Sequence, residues 1–211
     1  FQKELAMHKG KQIYEADVNP IFRCLEENYL GKDAPELNVG FFDIEVDFDP
    51  EKGFSKPEDP FNPVTAITIY LQWLDKLVTL AIPPKTMNMD TAQKFCENFD
   101  DTFLFKDESK MLETFLDLIE DVDVLSGWNS EGYDIPYMVN RITRVLSRND
   151  TRRFCLWSQY PKRRNFERHG TSHQTYDLVG RVHMDYMQLY RKYTYEERHS
   201  YSLDAIAEYE L

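Results

Sequence analysis

No apolar run in this 211-residue chain approaches the roughly 20 residues a membrane-spanning helix needs, so no membrane partner is expected. The start, Phe1-Gln2-Lys3-Glu4, lacks the form of a signal peptide and does not begin with Met, so the chain reads as trimmed from a longer soluble polypeptide. Only three cysteines occur, Cys24, Cys96 and Cys155, far apart and without Cys-x-x-Cys spacing. That excludes a disulfide framework and a zinc knuckle and points to reduced thiols in a cytoplasmic setting. No Gly-x-x-x-x-Gly-Lys-Ser/Thr loop is present, which removes phosphate-loop enzymes. Neither an internal repeat nor a low-complexity tract occurs.

What is there suits one medium domain with a fragment of a neighbour. Hydrophobic residues make up 42% and aromatics 14%, enough to bury a core. The net charge of −12 opposes nucleic acid on average. It is unevenly spread, however. Residues 90–123 are rich in Asp and Glu, whereas Arg141 to Arg168 carries nine Lys and Arg against Asp150 and Glu167. Such a segment is either a local phosphate-binding surface or a solvated helix face followed by a basic loop.

Residues 1–38 read as a lead-in, with a short helix started by Asn19-Pro20 and a linker at Gly31-Lys32-Asp33-Ala34-Pro35. Residues 39–211 read as the main domain. Val39–Val46 reads as a buried strand, the proline-rich stretch 47–63 as a long loop, and Val64–Leu71 and Lys76–Ile82 as further strands of an antiparallel meander. Ser109–Glu120 is helical, with Met111, Leu112, Phe115, Leu116 and Ile119 on one face. A strand over Val122–Leu125 and a helix over Pro136–Ser147 follow, then helices near Asp185–Lys192 and Ser202–Leu211. This order gives an α/β chain with a mixed sheet flanked by helices, which the ribonuclease H-like fold fits.

Two short segments carry the chemistry. In Asp43-Ile44-Glu45 the strand alternation puts both acids on one face and Phe42, Ile44 and Val46 on the other. Two carboxylates one pleat apart repel each other, and a divalent cation such as Mg²⁺ or Mn²⁺ is the natural compensation. The alternative is a polar strand face that meets water. The second segment, Trp128-Asn129-Ser130-Glu131-Gly132-Tyr133-Asp134, sits where a buried strand ends and a helix begins. There Asp134 is either a metal ligand or a helix cap. Arg141, Arg144 and Arg148 follow at i, i+3, i+7, a stripe for tracking a phosphate backbone or simply an exposed face.

Together these segments resemble the exonuclease domain of family B DNA polymerases. Asp43-Ile44-Glu45 looks like its first exonuclease motif and Asn129 through Asp134 like its second. Gly53-Phe54-Ser55-Lys56-Pro57, Gly180-Arg181-Val182 with Met184-Asp185, and Tyr201-Ser202-Leu203-Asp204 look like further family segments in the right order. The run Ile135 to Arg141 looks closest to polymerases of T-even-like bacteriophages. The resemblance implies a proofreading 3′→5′ exonuclease that uses two divalent metal ions, Mg²⁺ or Mn²⁺, and releases 5′-nucleotides. Asp43 would bridge both metals, with Glu45 and Asp134 each on one. Asn129 and Tyr133 would support the site, Phe54 would stack on a frayed base or pack in the core, and Arg141 would lie along the substrate. Implied partners are a single-stranded or frayed primer 3′ end and the rest of the polymerase chain, in the host-cell cytoplasm if the protein is phage-encoded.

The family's third motif, Tyr-x-x-x-Asp, follows the Tyr201–Leu211 element in the family and is not found there, so the expectation is a chain cut before it, with weak metal binding and slow hydrolysis. His199 and Asp204 have the His-x₄-Asp spacing of related nucleases but straddle the wrong element, and His8, His169, His173 and His183 show no ligand spacing. The competing readings are a stand-alone ribonuclease H-like exonuclease and a non-catalytic nucleic-acid-binding module.

Overall fold

The computed structural model describes residues 7, 10, 18–168 and 170–211. His8 and His169 therefore lie outside the described residues. The chain forms two compact units, Phe1–Glu36 and Leu37–Leu211. In the first, helix α1 (Pro20–Tyr29) begins as its sequence dictates: Pro20 occupies the first turn and the Asn19 side chain accepts from Ile21 N at 2.9 Å.

The second unit is built on a six-stranded sheet. Its strands are β1 (Val39–Val46), β2 (Val64–Leu71), β3 (Lys76–Ala81), β4 (Thr102–Leu104), β5 (Val124–Gly127) and β8 (Val182–Asp185). The spatial order is β4-β3-β2-β1-β5-β8. The pairs β1–β2 and β2–β3 are antiparallel, while β1–β5, β5–β8 and β3–β4 are parallel. This is the mixed sheet expected from the element order, with the meander at its centre.

Helix α3 (Glu108–Leu118) is capped by Asp107, which accepts from Lys110 N at 3.0 Å, and buries Met111, Leu112, Phe115 and Leu116. Helix α4 (Asp134–Val145) buries Ile135, Tyr137, Met138 and Ile142. These residues join Phe42, Ile67, Ile69 and Leu80 of the sheet in one core. Each fully buried Leu, Phe or Met contributes about 1.5–3 kcal/mol, so this face holds the layers together.

Besides the short strands β4 and β8, which the sequence pattern did not mark, three regions depart from expectation. Met89–Cys96 forms a helix, α2, capped by Asn88, inside the acidic stretch. The basic stretch is not a loop: Lys162–Arg168 (β6) pairs antiparallel with Thr171–Asp177 (β7) in a separate two-stranded sheet. Helix α4 starts at Asp134, two residues earlier than the sequence pattern suggested, because Pro136 needs no N–H partner in the first turn. The remaining helices are α5 (Tyr186–Tyr193) and α6 (Leu203–Glu210).

Candidate active site

The alternation read from the first segment holds: Phe42 and Ile44 are buried beneath β1, whereas Phe41, Asp43 and Glu45 face outward. Desolvation raises the Asp43 carboxyl above its ordinary value, and the Glu45 charge raises it further. Hollows of about 630 and 370 Å³ flank the pair, one lined by Glu45, Phe48, Pro63 and Lys85, the other by Asp43, Tyr70, Trp128 and Tyr186. The carboxylates thus stand on an open floor rather than in an enclosed cavity.

Asp134 reaches the same place from below. It is 4% exposed. Its carboxyl is pushed up to about 7, first by burial and then by the Asp43 charge. The backbone N–H dipoles of Asp134 itself and of Ile44, the residue between Asp43 and Glu45, oppose that shift. Asp134 is not a cap in the ordinary sense, since no side chain caps α4.

The close approach of β5 to β1 requires glycine at position 127. A Cβ there would lie 2.7 Å from Phe42 O and 2.9 Å from Ser130 Cβ. The turn that follows includes Asn129 in the left-handed region at φ 59, with Gly132 N and Tyr133 N both donating to Asn129 O. The Ser130 hydroxyl reaches Gly127 O at 3.2 Å and His183 Nε2 at 2.9 Å. Trp128 Nε1 donates to Tyr201 O at 2.9 Å. Tyr133 stacks on Tyr137 with ring centroids 5.4 Å apart. Burial, ahead of the nearby Tyr137 and Asp134, pushes the Tyr133 phenol up to about 12, so it stays a hydrogen-bond donor at neutral pH.

The arginine stripe does not form. Arg141 turns inward, 8% exposed. It makes a bidentate pair with Glu108 at 2.7 and 2.5 Å and donates to Pro60 O and Phe61 O at 2.9 and 3.2 Å. That commits Nε and both terminal nitrogens inside the protein, and this corrects the expectation that Arg141 lies along the substrate. Arg144 pairs with Asp59, and Arg148 lies over the Tyr160 ring. The physical reason is twofold: the helix ends at Val145, before Arg148, and the 47–63 loop covers it at Arg141, where Pro60 O and Phe61 O take up the guanidinium.

Sequence reasoning missed that this loop is mounted on α4. Tyr137 Oη bonds Ser55 Oγ at 2.5 Å and donates to Asn62 O at 2.7 Å, and Asn140 donates to Pro57 O at 2.7 Å. The helix that begins with Asp134 thereby fixes the loop that carries Phe54. Phe54 itself is 72% exposed and touches Phe48, with centroids 4.8 Å apart, so it is not a core ring. His199 and Asp204 are both exposed near the start of α6.

A divalent cation fits the donors present in one respect. They are hard carboxylate oxygens, and the charges perturbing Asp43 and Asp134 come from other acids rather than from lysine or arginine. In another respect the site is open: among the described residues no three His, Cys, Asp or Glu side chains converge into a ready-made metal cage.

A mixed sheet whose central strand presents paired acids, met by a third acid at a helix start, defines a ribonuclease H-like nuclease domain. The family described as DNA polymerase family B, exonuclease domain, matches residues 6–206, and the chain belongs to it. The DNA-directed DNA polymerase of Escherichia phage RB69 is 30% identical over 200 residues, covering 85% of this chain and 22% of that protein. The DNA-directed DNA polymerase of Enterobacteria phage T4 is 31% identical over 108 residues, 50% of this chain and 12% of that protein. The DNA polymerase catalytic subunit of Saimiriine herpesvirus 2 (strain 11) is 30% identical over 117 residues, 54% of this chain and 11% of that protein. The chain therefore spans about a fifth or less of the length of these relatives. Among the described residues no helix is long and apolar enough to cross a membrane.

Proposed function

We propose that this domain hydrolyses the 3′-terminal phosphodiester of single-stranded or frayed DNA as the proofreading part of a family B DNA polymerase, releasing 5′-nucleotides. The observation that carries the reading is the meeting of three acids: Asp43 and Glu45 share the outward face of β1, and the buried Asp134 at the start of α4 lies close enough to feel the Asp43 charge. Asp43, Glu45 and Asp134 are the residues that would hold two divalent ions, Mg²⁺ or Mn²⁺. Bound there, the ions supply a water of lowered pKa and charge neutralisation of the departing 3′ oxygen.

The chain's own groups do the rest. The Asp134 carboxyl, raised to about 7 by burial and the Asp43 charge, exchanges its proton near neutral pH, and it would bind a cation in its ionised form. The Tyr133 hydroxyl keeps its proton and can donate to a phosphate oxygen or a water. Phe54 presents an exposed ring on which a terminal base can stack, a grip that tolerates any sequence. Asn129 shapes the turn ahead of Asp134. The rest of the polymerase chain would deliver the primer end, in the host-cell cytoplasm given the phage relatives.

The test is a 3′-labelled single strand offered to the full-length protein with Mn²⁺ and with EDTA, beside a variant carrying Asp43→Ala and Glu45→Ala. Metal-dependent loss of label by the wild type alone is expected. Equal degradation by the variant would sink the assignment. Degradation by neither protein, at any enzyme concentration, would favour a module that binds nucleic acid without cutting it.

A further inference from the structure

Asp185 closes β8 and is 7% exposed. As the N-cap of α5 its Oδ1 accepts from Met187 N at 3.0 Å and from Gln188 N at 3.4 Å. That alone would be an ordinary cap. The same carboxylate also reaches the turn between β5 and α4, where Oδ1 accepts from Asn129 N at 3.1 Å and Oδ2 from Glu131 N at 3.2 Å. One buried carboxylate thus gathers four backbone N–H groups from two chain segments. The parallel register that sets Gly127 opposite Asp185 puts it there.

We infer that Asp185 is a positioning residue for the nuclease reaction, a clamp that fixes the 128–133 turn and so aims Asp134 at β1. The inference rests on the exonuclease reading above. The turn leads straight into Asp134, and its own bonds, Gly132 N and Tyr133 N to Asn129 O and Ile135 N to Ser130 O, transmit the position of Asn129 into the first turn of α4. The neighbouring outward grip on β8 is His183, two residues away, which holds Ser130 Oγ at 2.9 Å. Glu131 is tied on its other side to Arg164, which also binds Asp177 at 2.8 Å. The negative charge of Asp185 works against ionisation of Asp134. Its benefit therefore lies in the geometry of its accepted hydrogen bonds and not in its field. Groups that orient metal ligands in this indirect way change metal affinity or activity by about 10–100-fold when altered.

Asp185→Asn separates clamp from cap. Asn caps a helix as well as Asp does, so α5 is kept, but the amide sets an NH₂ against the Glu131 N–H. In the full-length protein, peptide-level hydrogen exchange is compared at residues 128–133 and 186–190, with Mn²⁺ titration and single-strand degradation alongside. Exchange at 128–133 should quicken about tenfold while 186–190 stays within about twofold, reflecting loss of one charge-assisted bond. Mn²⁺ affinity and kcat should each fall about 10-fold or more, with KM for the strand little changed. Asp185→Ala should lose both segments' protection. Asn88→Ala, which removes the cap of the distant α2, should lower stability without touching either readout. Unchanged exchange at 128–133, unchanged Mn²⁺ affinity, or equal losses in Asn88→Ala would each overturn the positioning role. A wild type that neither binds Mn²⁺ nor degrades the strand overturns the exonuclease reading and the positioning role together. A competent wild type beside an unaffected Asp185→Asn overturns the positioning role alone.

Discussion

Replacing Asp134 with Asn should make the metal-free protein more stable at pH 8 while removing one of the three proposed metal ligands. The carboxyl is raised from 3.8 to about 7, chiefly by burial and next by Asp43. A raised acid pKa means that the folded state binds the proton more tightly than the unfolded state. Folding is then unpenalised below about pH 4, the penalty grows from pH 4 to 7, and it is fully present above 7. At about 1.4 kcal/mol for each pH unit of displacement, the ceiling is on the order of 4 kcal/mol. Sharing of that repulsion with Asp43, together with relaxation around the charge, brings the expectation to about 2 kcal/mol. Asn keeps an acceptor for the Ile44 N–H and turns an NH₂ toward Asp43. For a domain of this size the gain corresponds to a rise in Tm of about 4–8 °C. Scanning calorimetry of both proteins in EDTA at pH 8 and pH 4 measures it. A gain at pH 8 that vanishes at pH 4 is expected. No gain at pH 8, or the same gain at pH 4, would refute the claim that an ionised Asp134 strains the metal-free fold.

Arg141→Met should destabilise the protein by about 3–5 kcal/mol in urea unfolding, because Glu108 would keep a buried charge without its partner. Its loss should leave the salt slope of DNA binding unchanged, and a shallower slope would restore a phosphate-contact role. Gly127→Ala should cost about 1–3 kcal/mol in the same assay, since the added methyl meets the Phe42 carbonyl, and a neutral result would mean the two strands can part there. Phe54→Ala should leave Tm within about 1–2 °C of wild type, given the exposure of the ring, while weakening single-strand binding by about 1–3 kcal/mol in a fluorescence titration. Unchanged binding would remove the stacking role.

Periodicity was enough to find β1, β2, β3, α3 and the faces of Asp43 and Glu45, because each of those elements shows one buried face against one polar face over several residues. The short strands β4 and β8 and the hairpin β6–β7 were not legible. Three or four residues hold too little pattern, and β6 is a run of charges whose strand form comes from its pairing with β7.

By itself the sequence determined the order of the longer, strongly patterned elements, the family, and which acids stand one pleat apart. These follow from local alternation and from motifs whose residues are neighbours in the chain. Only the tertiary structure decided what those residues face. It turned Arg141 from an expected DNA contact into a buried tie to Glu108, 33 positions away, and left Phe54 in solvent. It also brought Asp185 to the turn before Asp134 across 54 to 56 positions of sequence. Hydrogen bonds between distant segments depend on sheet register and helix placement, which no local pattern encodes.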